Sequence, residues 1–279
     1  MDSLSALLHQ YAPRAQIFYA GSLCGRADYE GSDAGGHLHL LRAGTLRLRS
    51  DGEVPLILVE PSLILFPGGS SHRMQSRLDC DLVCANVRFG RTNANPLVAA
   101  LPRRLVIPLA SAPGLAPVLE LLFQEASQPG YGQSQALDRL LDLLLILVLR
   151  HVLDAGLYRG GVLAGLADVR LGKAIIAMQQ QPEHPWTLQG LAALVGMSRA
   201  RFAAHFHQVI GKTPLVYLTE WRLALAQQRL LTGEPLKLVA PGVGYGSTAA
   251  LTRAFAKQCG LTPSQWLHQQ KTAAEPPLD

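Results

Sequence analysis

The chain changes its hydrophobic period once. In Leu38 to Arg49, Leu46 and Leu48 alternate with Arg47 and Arg49, the period-two pattern of a half-buried strand, and Gly44 marks a bend. Apolar runs follow at Pro55–Val59, Leu63–Phe66 and Leu82–Val87, separated by Asp51-Gly52, Glu60-Pro61 and Pro67-Gly68-Gly69. Short strands at this spacing predict an all-β sandwich or barrel for the first hundred or so residues. From Pro113 the period becomes helical: Leu115, Val118, Leu119 and Leu122 share a face, Pro129-Gly130 breaks the run, and a second helix covers about Ser134 to Asp154. Leucines occupy more than one face of that second helix, so it is enclosed either by its own core or by another chain. Arg159-Gly160-Gly161 and the residues up to Asp168 read as a linker.

The C-terminal part repeats itself. At a shift of 49, Ser198 meets Ser247, Ala200 meets Ala249, Phe206 meets Phe255, Gly211 meets Gly260, Thr213-Pro214 meets Thr262-Pro263 and Leu218 meets Leu267. Phe202 pairs with Leu251 and Tyr217 with Trp266, which keeps the apolar character. One supersecondary unit is used twice. In the first copy Thr187 caps a helix to about Val195, Gly196-Met197 makes a tight turn, and Ser198 caps a second helix to about Ile210, with Phe202, Phe206 and Val209 inward. This is helix-turn-helix grammar. The second copy runs from about Leu236 through Gly244-Tyr245-Gly246 into a helix capped by Ser247 that continues to Gln258. A helix over Leu215–Leu231 joins the copies and could set their second helices about 34 Å apart, in successive major grooves.

Charge changes the picture because it is uneven. Residues 1–169 carry 14 Arg and 15 acids, while residues 170–279 carry 11 Lys plus Arg and 5 acids, including all five lysines. A near-neutral part followed by a basic part suggests a sensing or assembly domain and a module for a polyanion. The length of 279 residues, 48% hydrophobic and 16% charged, suits two packed domains and argues against disorder. No basic segment precedes Leu4, Leu7 and Leu8 as in a signal peptide, and the apolar stretch Leu137–Leu153 contains Asp138, Arg139, Asp142 and Arg150, so no membrane association is expected. Four cysteines without paired spacing point to a reducing compartment, the cytoplasm by default.

From about Asp168 to Gln270 the chain resembles the AraC/XylS family of transcription regulators. The residues that carry the likeness are Trp186-Thr187-Leu188, Leu191-Ala192, Gly196-Met197-Ser198-Arg199, Phe202, Phe206, Gly211-Lys212-Thr213-Pro214, Tyr217 to Arg222, Val243-Gly244-Tyr245, Arg253-Ala254-Phe255 and Gly260 to Pro263. One departure is Pro241, which stands inside the first helix of the second copy and would bend or shorten it. With Phe202 and Phe206 inward, the outer face of the first recognition helix offers Arg199, Ala200, Arg201, Ala203, Ala204 and His207. The arginines suit phosphate or guanine, and the alanines only thymine methyls or the sugar edge. The second recognition helix offers Thr248, Ala249, Thr252, Arg253 and Lys257. By position in the family pattern Arg253 resembles a DNA-contacting arginine, while Arg222 is either a phosphate contact or a structural ion-pair partner. The resemblance implies promoter double-stranded DNA, RNA polymerase, a small-molecule effector or oxidant, and a second copy of the chain as partners.

In the N-terminal part His37-Leu38-His39 and the later Pro67-Gly68-Gly69-Ser70-Ser71-His72 resemble the two half-motifs of a cupin, whose imidazoles converge in the barrel mouth to bind metal. The acidic ligand expected four residues after His39 is Ala43. His39 and His72 thus line a metal site, a metal-free polar pocket or a plain core, and no metal or cofactor is assigned. Cys80 and Cys84, four apart on one strand, would lie about 13 Å apart, too far for a disulfide. Cys24 and Cys84 lie on different segments and could be neighbours. The opening pattern, from Met1-Asp2 to Ala12-Pro13, is similar to the reactive-chlorine-responsive branch of the family, which implies a thiol oxidised by hypochlorous acid, although Gly21 stands where that branch's cysteine is expected. Cys24 and Cys84 are therefore either a redox switch or inert thiols, and Cys259 is structural.

The expected class is an α+β multidomain protein: a cupin-like β-barrel sensor over 1–110, a helical connector and dimerisation segment over 111–157, a linker over 158–169, an all-α double helix-turn-helix domain over 170–270 and a tail over 271–279. The expected function is a sequence-specific DNA-binding transcriptional regulator, not an enzyme. The alternative is a metal-dependent cupin enzyme with an accessory helical domain.

Overall fold

A computed structural model describes residues 3–11, 13–31, 35–90, 95–128 and 130–272. The chain forms two compact units, residues 11–164 and residues 1–10 with 165–279. After helix α1 (Ser3–Tyr11), the strands are β1 (Pro13–Tyr29), β2 (Gly36–Ala43), β3 (Leu46–Ser50), β4 (Leu56–Leu58), β5 (Ser62–Phe66) and β6 (His72–Phe89). Helix α2 (Pro96–Ala100), strand β7 (Leu105–Pro108) and helices α3 (Ala116–Ser127) and α4 (Gln133–Asp154) complete the first unit.

The seven strands form one antiparallel sheet in the order β4-β3-β6-β2-β5-β7, with β1 paired along β6. Strand β6 organises it: β1 runs along one edge, while β3 and β2 share the other, β3 against 72–75 and β2 against 81–87. The expected alternation in β3 is present, with Leu46 and Leu48 buried and Arg47 and Arg49 exposed. β5 is buried along its whole length, as its unbroken apolar run suggests. The core gathers Leu41, Leu46, Leu48, Ile64, Phe66 and Met74 with both Cys80 and Cys84. Gly44, at φ +96°, turns the chain beside β6, where a Cβ would lie 2.7 Å from that of Cys80.

Two parts of this sheet are not marked by hydrophobicity in the sequence: β1, and the first half of β6. Both carry many polar residues on an exposed face, so pairing with distant segments, each other and, for β6, β3, makes them strands. Helix α4 buries Leu141, Leu144, Leu145, Val148, Leu149 and Val152 within its own chain and leaves Leu143 45% exposed.

The boundary between the two units, at 164/165, falls inside the expected linker, but the segment is not without regular structure. Residues 161–167 form helix α5 (Gly161–Ala167), and Val162 and Leu163 are buried, because Gly-Val-Leu-Ala-Gly-Leu-Ala is apolar enough to be drawn into packing. The remaining helices are α6 (Val169–Gln180), α7 (Leu188–Leu194), α8 (Arg199–Ile210), α9 (Pro214–Leu231), α10 (Leu236–Gly242), α11 (Thr248–Cys259) and α12 (Pro263–Thr272). Of the expected tail, residues 273–279 lie outside the described residues. Among the described residues no helix is long and apolar enough to cross a membrane.

Candidate nucleic-acid interface and sensor cluster

The sequence repeat is a structural repeat. Helices α7 and α10 have seven residues each, and α8 and α11 have twelve. Ser198 Oγ accepts from Arg201 N at 3.3 Å and Ser247 Oγ from Ala250 N at 3.1 Å, so equivalent serines cap both second helices. Gly211 and Gly260, both left-handed, end them. The paired aromatics keep their geometry: Phe206 meets Tyr217 at 5.8 Å and 67°, and Phe255 meets Trp266 at 5.7 Å and 68°. The copies differ in the turn. Four residues separate α7 from α8 and five separate α10 from α11, so Gly246 is the extra residue. Pro241 falls in the last turn of α10, which still matches α7 in length. There Tyr245 N bonds Ala240 O at 2.9 Å, just as Met197 N bonds Ala192 O at 2.9 Å.

The outer face of α8 exposes Arg199, Ala200, Arg201, Ala204 and His207, with Ala203 half-buried. That of α11 exposes Thr248, Ala249, Arg253 and Lys257, with Thr252 half-buried. Among the described residues Arg199, Arg201, Arg253 and Lys257 have no ion-pair partner, so four cations face outward from two equivalent helices.

Arg222 has a different part. Its Nε donates to Pro182 O at 2.6 Å and its Nη2 to His184 O at 2.9 Å, and its guanidinium lies 6.0 Å from the Tyr245 ring. It is half-buried, and its bonds go to backbone carbonyls. Among the described residues it has no ion-pair partner; two of its five N–H donors go to the carbonyls before the first motif and its face lies on the tyrosine in the turn of the second, which gives it a structural part. Spacing alone could not distinguish these roles. The sequence reading also missed Asp168 and His205. Asp168 caps α6 through Arg170 N and Leu171 N, and its other oxygen meets His205 Nε2 on α8 at 2.7 Å. Burial opposes its ionisation, but the hydrogen bonds from Leu171, His205 and Arg170 outweigh this and hold its carboxyl below the usual range.

In the sheet unit, His37 and His39 on β2 and His72 on β6 converge as expected. His39 and His72 are buried, and Tyr29, Phe66 and Cys84 join them. Phe66, His72 and Tyr29 form a stack of parallel rings, with centroids 3.8 Å and 4.7 Å apart. His72 Nδ1 lies 2.8 Å from Ser70 O, which can only accept, so that nitrogen carries the proton. The neutral ring then offers Nε2 as an acceptor, and His39 Nε2, 2.8 Å away, donates to it. His39 Nδ1 is left as a buried, unprotonated nitrogen without a partner. Burial drives His72 down to about 4, and burial together with His72 and His37 drives His39 well below its ordinary value.

This arrangement does not suit a cupin metal. The Nε2 atoms of His39 and His72 bond each other, position 43 is Ala, and among the described residues no group of three His, Cys, Asp or Glu side chains is arranged to hold an ion.

Cys84, facing Tyr29 OH at 3.8 Å, is fully buried, and burial pushes its thiol up to about 11. Cys24 is exposed at an irregularity of β1 between Leu23, opposite Cys80, and Gly25, opposite Ser76. The idea that Cys24 and Cys84 are neighbours is therefore corrected: Cys84 pairs with Tyr19, five residues or about 16 Å of strand from Cys24. All four cysteines are free thiols.

Two helix-turn-helix units with outward cations, joined in one chain to a cupin-like sheet, define a DNA-binding protein of the regulator class. The family described as Cupin matches residues 2–154, and that described as Helix-turn-helix domain matches residues 191–269. An uncharacterised HTH-type transcriptional regulator of Haemophilus influenzae is 31% identical over 95% of this chain and 98% of its own. The RCS-specific HTH-type transcriptional activator RclR of Escherichia coli is 29% identical over 98% and 100%. Among solved structures, the DNA-binding domain of AdpA in complex with a target DNA is 28% identical, covering 38% of this chain and 97% of that one, with a TM-score of 0.36. The chain belongs to the AraC/XylS family of HTH-type transcriptional regulators, with an N-terminal cupin domain.

Proposed function

We propose that this regulator reads promoter DNA with α8 and α11 and is controlled by an effector or oxidant sensed in the sheet unit. Arg199, Arg201, Arg253 and Lys257 are the contacts that supply charge and base reading, and Ala200, Ala203, Ala204, Thr248, Ala249 and Thr252 supply close van der Waals approach. The observation that carries this reading is the equivalence of the two units: each presents a serine-capped, twelve-residue helix with unpaired cations outward. Arg222 fixes the units relative to each other and does not itself read DNA.

For sensing, the buried group of His39, His72 and Cys84 with Tyr29 is the candidate interior site, and Cys24 the thiol that an oxidant reaches first. A homodimer is part of the reading, since Leu140, Leu143 and Leu147 form an incompletely buried stripe at helical spacing on α4. The protein would act on RNA polymerase at promoters in the cytoplasm, with no catalytic step of its own.

The test is selection from random duplex DNA by the full-length chain, reduced and after mild hypochlorous acid treatment. Two enriched half-elements about one helical turn apart support the reading, and affinity should fall steeply with salt. Enrichment of no motif in either state would overturn it. A motif whose affinity ignores oxidation would leave the DNA reading standing and remove the oxidant.

A further inference from the structure

Beside the exposed face of the β1/β6 pair, the first half of α4 presents a run of polar side chains. Arg14 lies directly opposite Arg88 and Gln16 opposite Asn86. Between these strands and Gln135, Asp138, Arg139 and Asp142 of α4 is a cleft of about 340 Å³, in which only Ala15 is apolar. Like charges directly opposite on paired strands cost stability. That pairing falls at this cleft.

Its charges are incompletely matched. Arg14 and Arg139 both pair with Asp142 Oδ2. Asp142 Oδ1 is shielded from water and receives no hydrogen bond, which is costly for a carboxylate oxygen. Among the described residues Arg88 and Asp138 have no ion-pair partner. A simple anion would answer Arg88 and leave Asp138; a simple cation would do the reverse. We propose that the cleft binds a small zwitterion, an α-amino acid or similar amino-carboxylate, with its carboxylate on Arg88 beside Arg14 and its ammonium on Asp138. The amides of Gln16, Asn86 and Gln135 suit a polar ligand side chain. The site is separate from the imidazole cluster, and only its regulatory effect rests on the sensing reading above.

The experiment is calorimetric titration of the full-length protein with each common L-amino acid, then with the N-acetyl and methyl-ester forms of the strongest. One-to-one binding is expected, weakened about tenfold or more by either blocking group and by Arg88→Ala or Asp138→Asn. Neither substitution removes an ion pair found among the described residues, and a melting temperature no lower than that of the parent checks that each variant is folded. No binding up to about 10 mM, binding indifferent to both variants, or equal binding of the blocked forms would overturn the proposal. Promoter-DNA affinity with and without the amino acid is read in parallel: binding without a change there supports the site and overturns its regulatory use.

Discussion

Arg222, near the middle of α9, donates to the carbonyl of Pro182 at 2.6 Å, 40 residues earlier in the chain. The same guanidinium reaches His184 O and lies over Tyr245, so one side chain touches the approach to the first helix-turn-helix and the turn of the second. Gly244, at φ +86°, has no room for a side chain: a Cβ would lie 2.6 Å from Pro182 O and 2.8 Å from Arg222 Cζ. The relative placement of α8 and α11 thus depends on a small junction away from their exposed outer faces.

Arg222→Ala removes both carbonyl bonds and should cost about 1–3 kcal/mol of stability. Affinity for the two-element site should fall more than affinity for either half-element alone, because spacing rather than contact is lost. Melting curves and titrations on whole and half sites check this; equal losses on all three DNAs would make Arg222 a contact residue after all. Gly244→Ala should act in the same direction through strain and crowding.

Arg253→Ala should weaken specific binding by about 1–3 kcal/mol and relax base preference at one or two positions. Lys257→Ala should weaken binding to all sequences alike and reduce the salt slope by about one. Binding isotherms at several salt concentrations on matched and mismatched duplexes distinguish the two.

Acid should destabilise the sheet unit through its imidazoles. His72 sits at about 4 in the folded protein because it is buried, below its ordinary value of 6.5. Above that ordinary value both states are neutral and stability is at its plateau. As pH falls from about 6.5 to 4 the unfolded chain takes up the proton first, and His72 alone removes about 3 kcal/mol. His39, shifted further in the same direction, adds to the loss. His72→Gln retains an acceptor for His39 Nε2 without titrating, so its melting temperature should vary less with pH across this window.

The thiols should differ in reactivity. Cys24 is exposed, whereas Cys84 is buried with its thiol pushed up to about 11, leaving almost no thiolate near neutral pH. Iodoacetamide should label Cys24 rapidly in the native protein and Cys84 only after denaturation, as peptide mass analysis would show. Fast native labelling of Cys84 would mean that the sheet opens.

Much of this molecule is legible in its sequence. The shift of 49 found two helix-turn-helix units down to their capping serines and their aromatic pairs, because a helix, its cap and its turn are set by residues within a few positions of each other. The Leu46 to Arg49 alternation named β3, and the histidine motifs named a cluster that does assemble. What sequence could not decide depends on partners far along the chain. Strand β1 and the first half of β6 exist because they pair with distant segments, not because either has a strong hydrophobic period. Cys24 and Cys84 are separated by the register of that pairing, and Arg222 is claimed by carbonyls 38 and 40 residues away. Local propensity and period are written in neighbouring residues, whereas register, burial and the choice among hydrogen-bond partners arise only when distant segments compete for the same space.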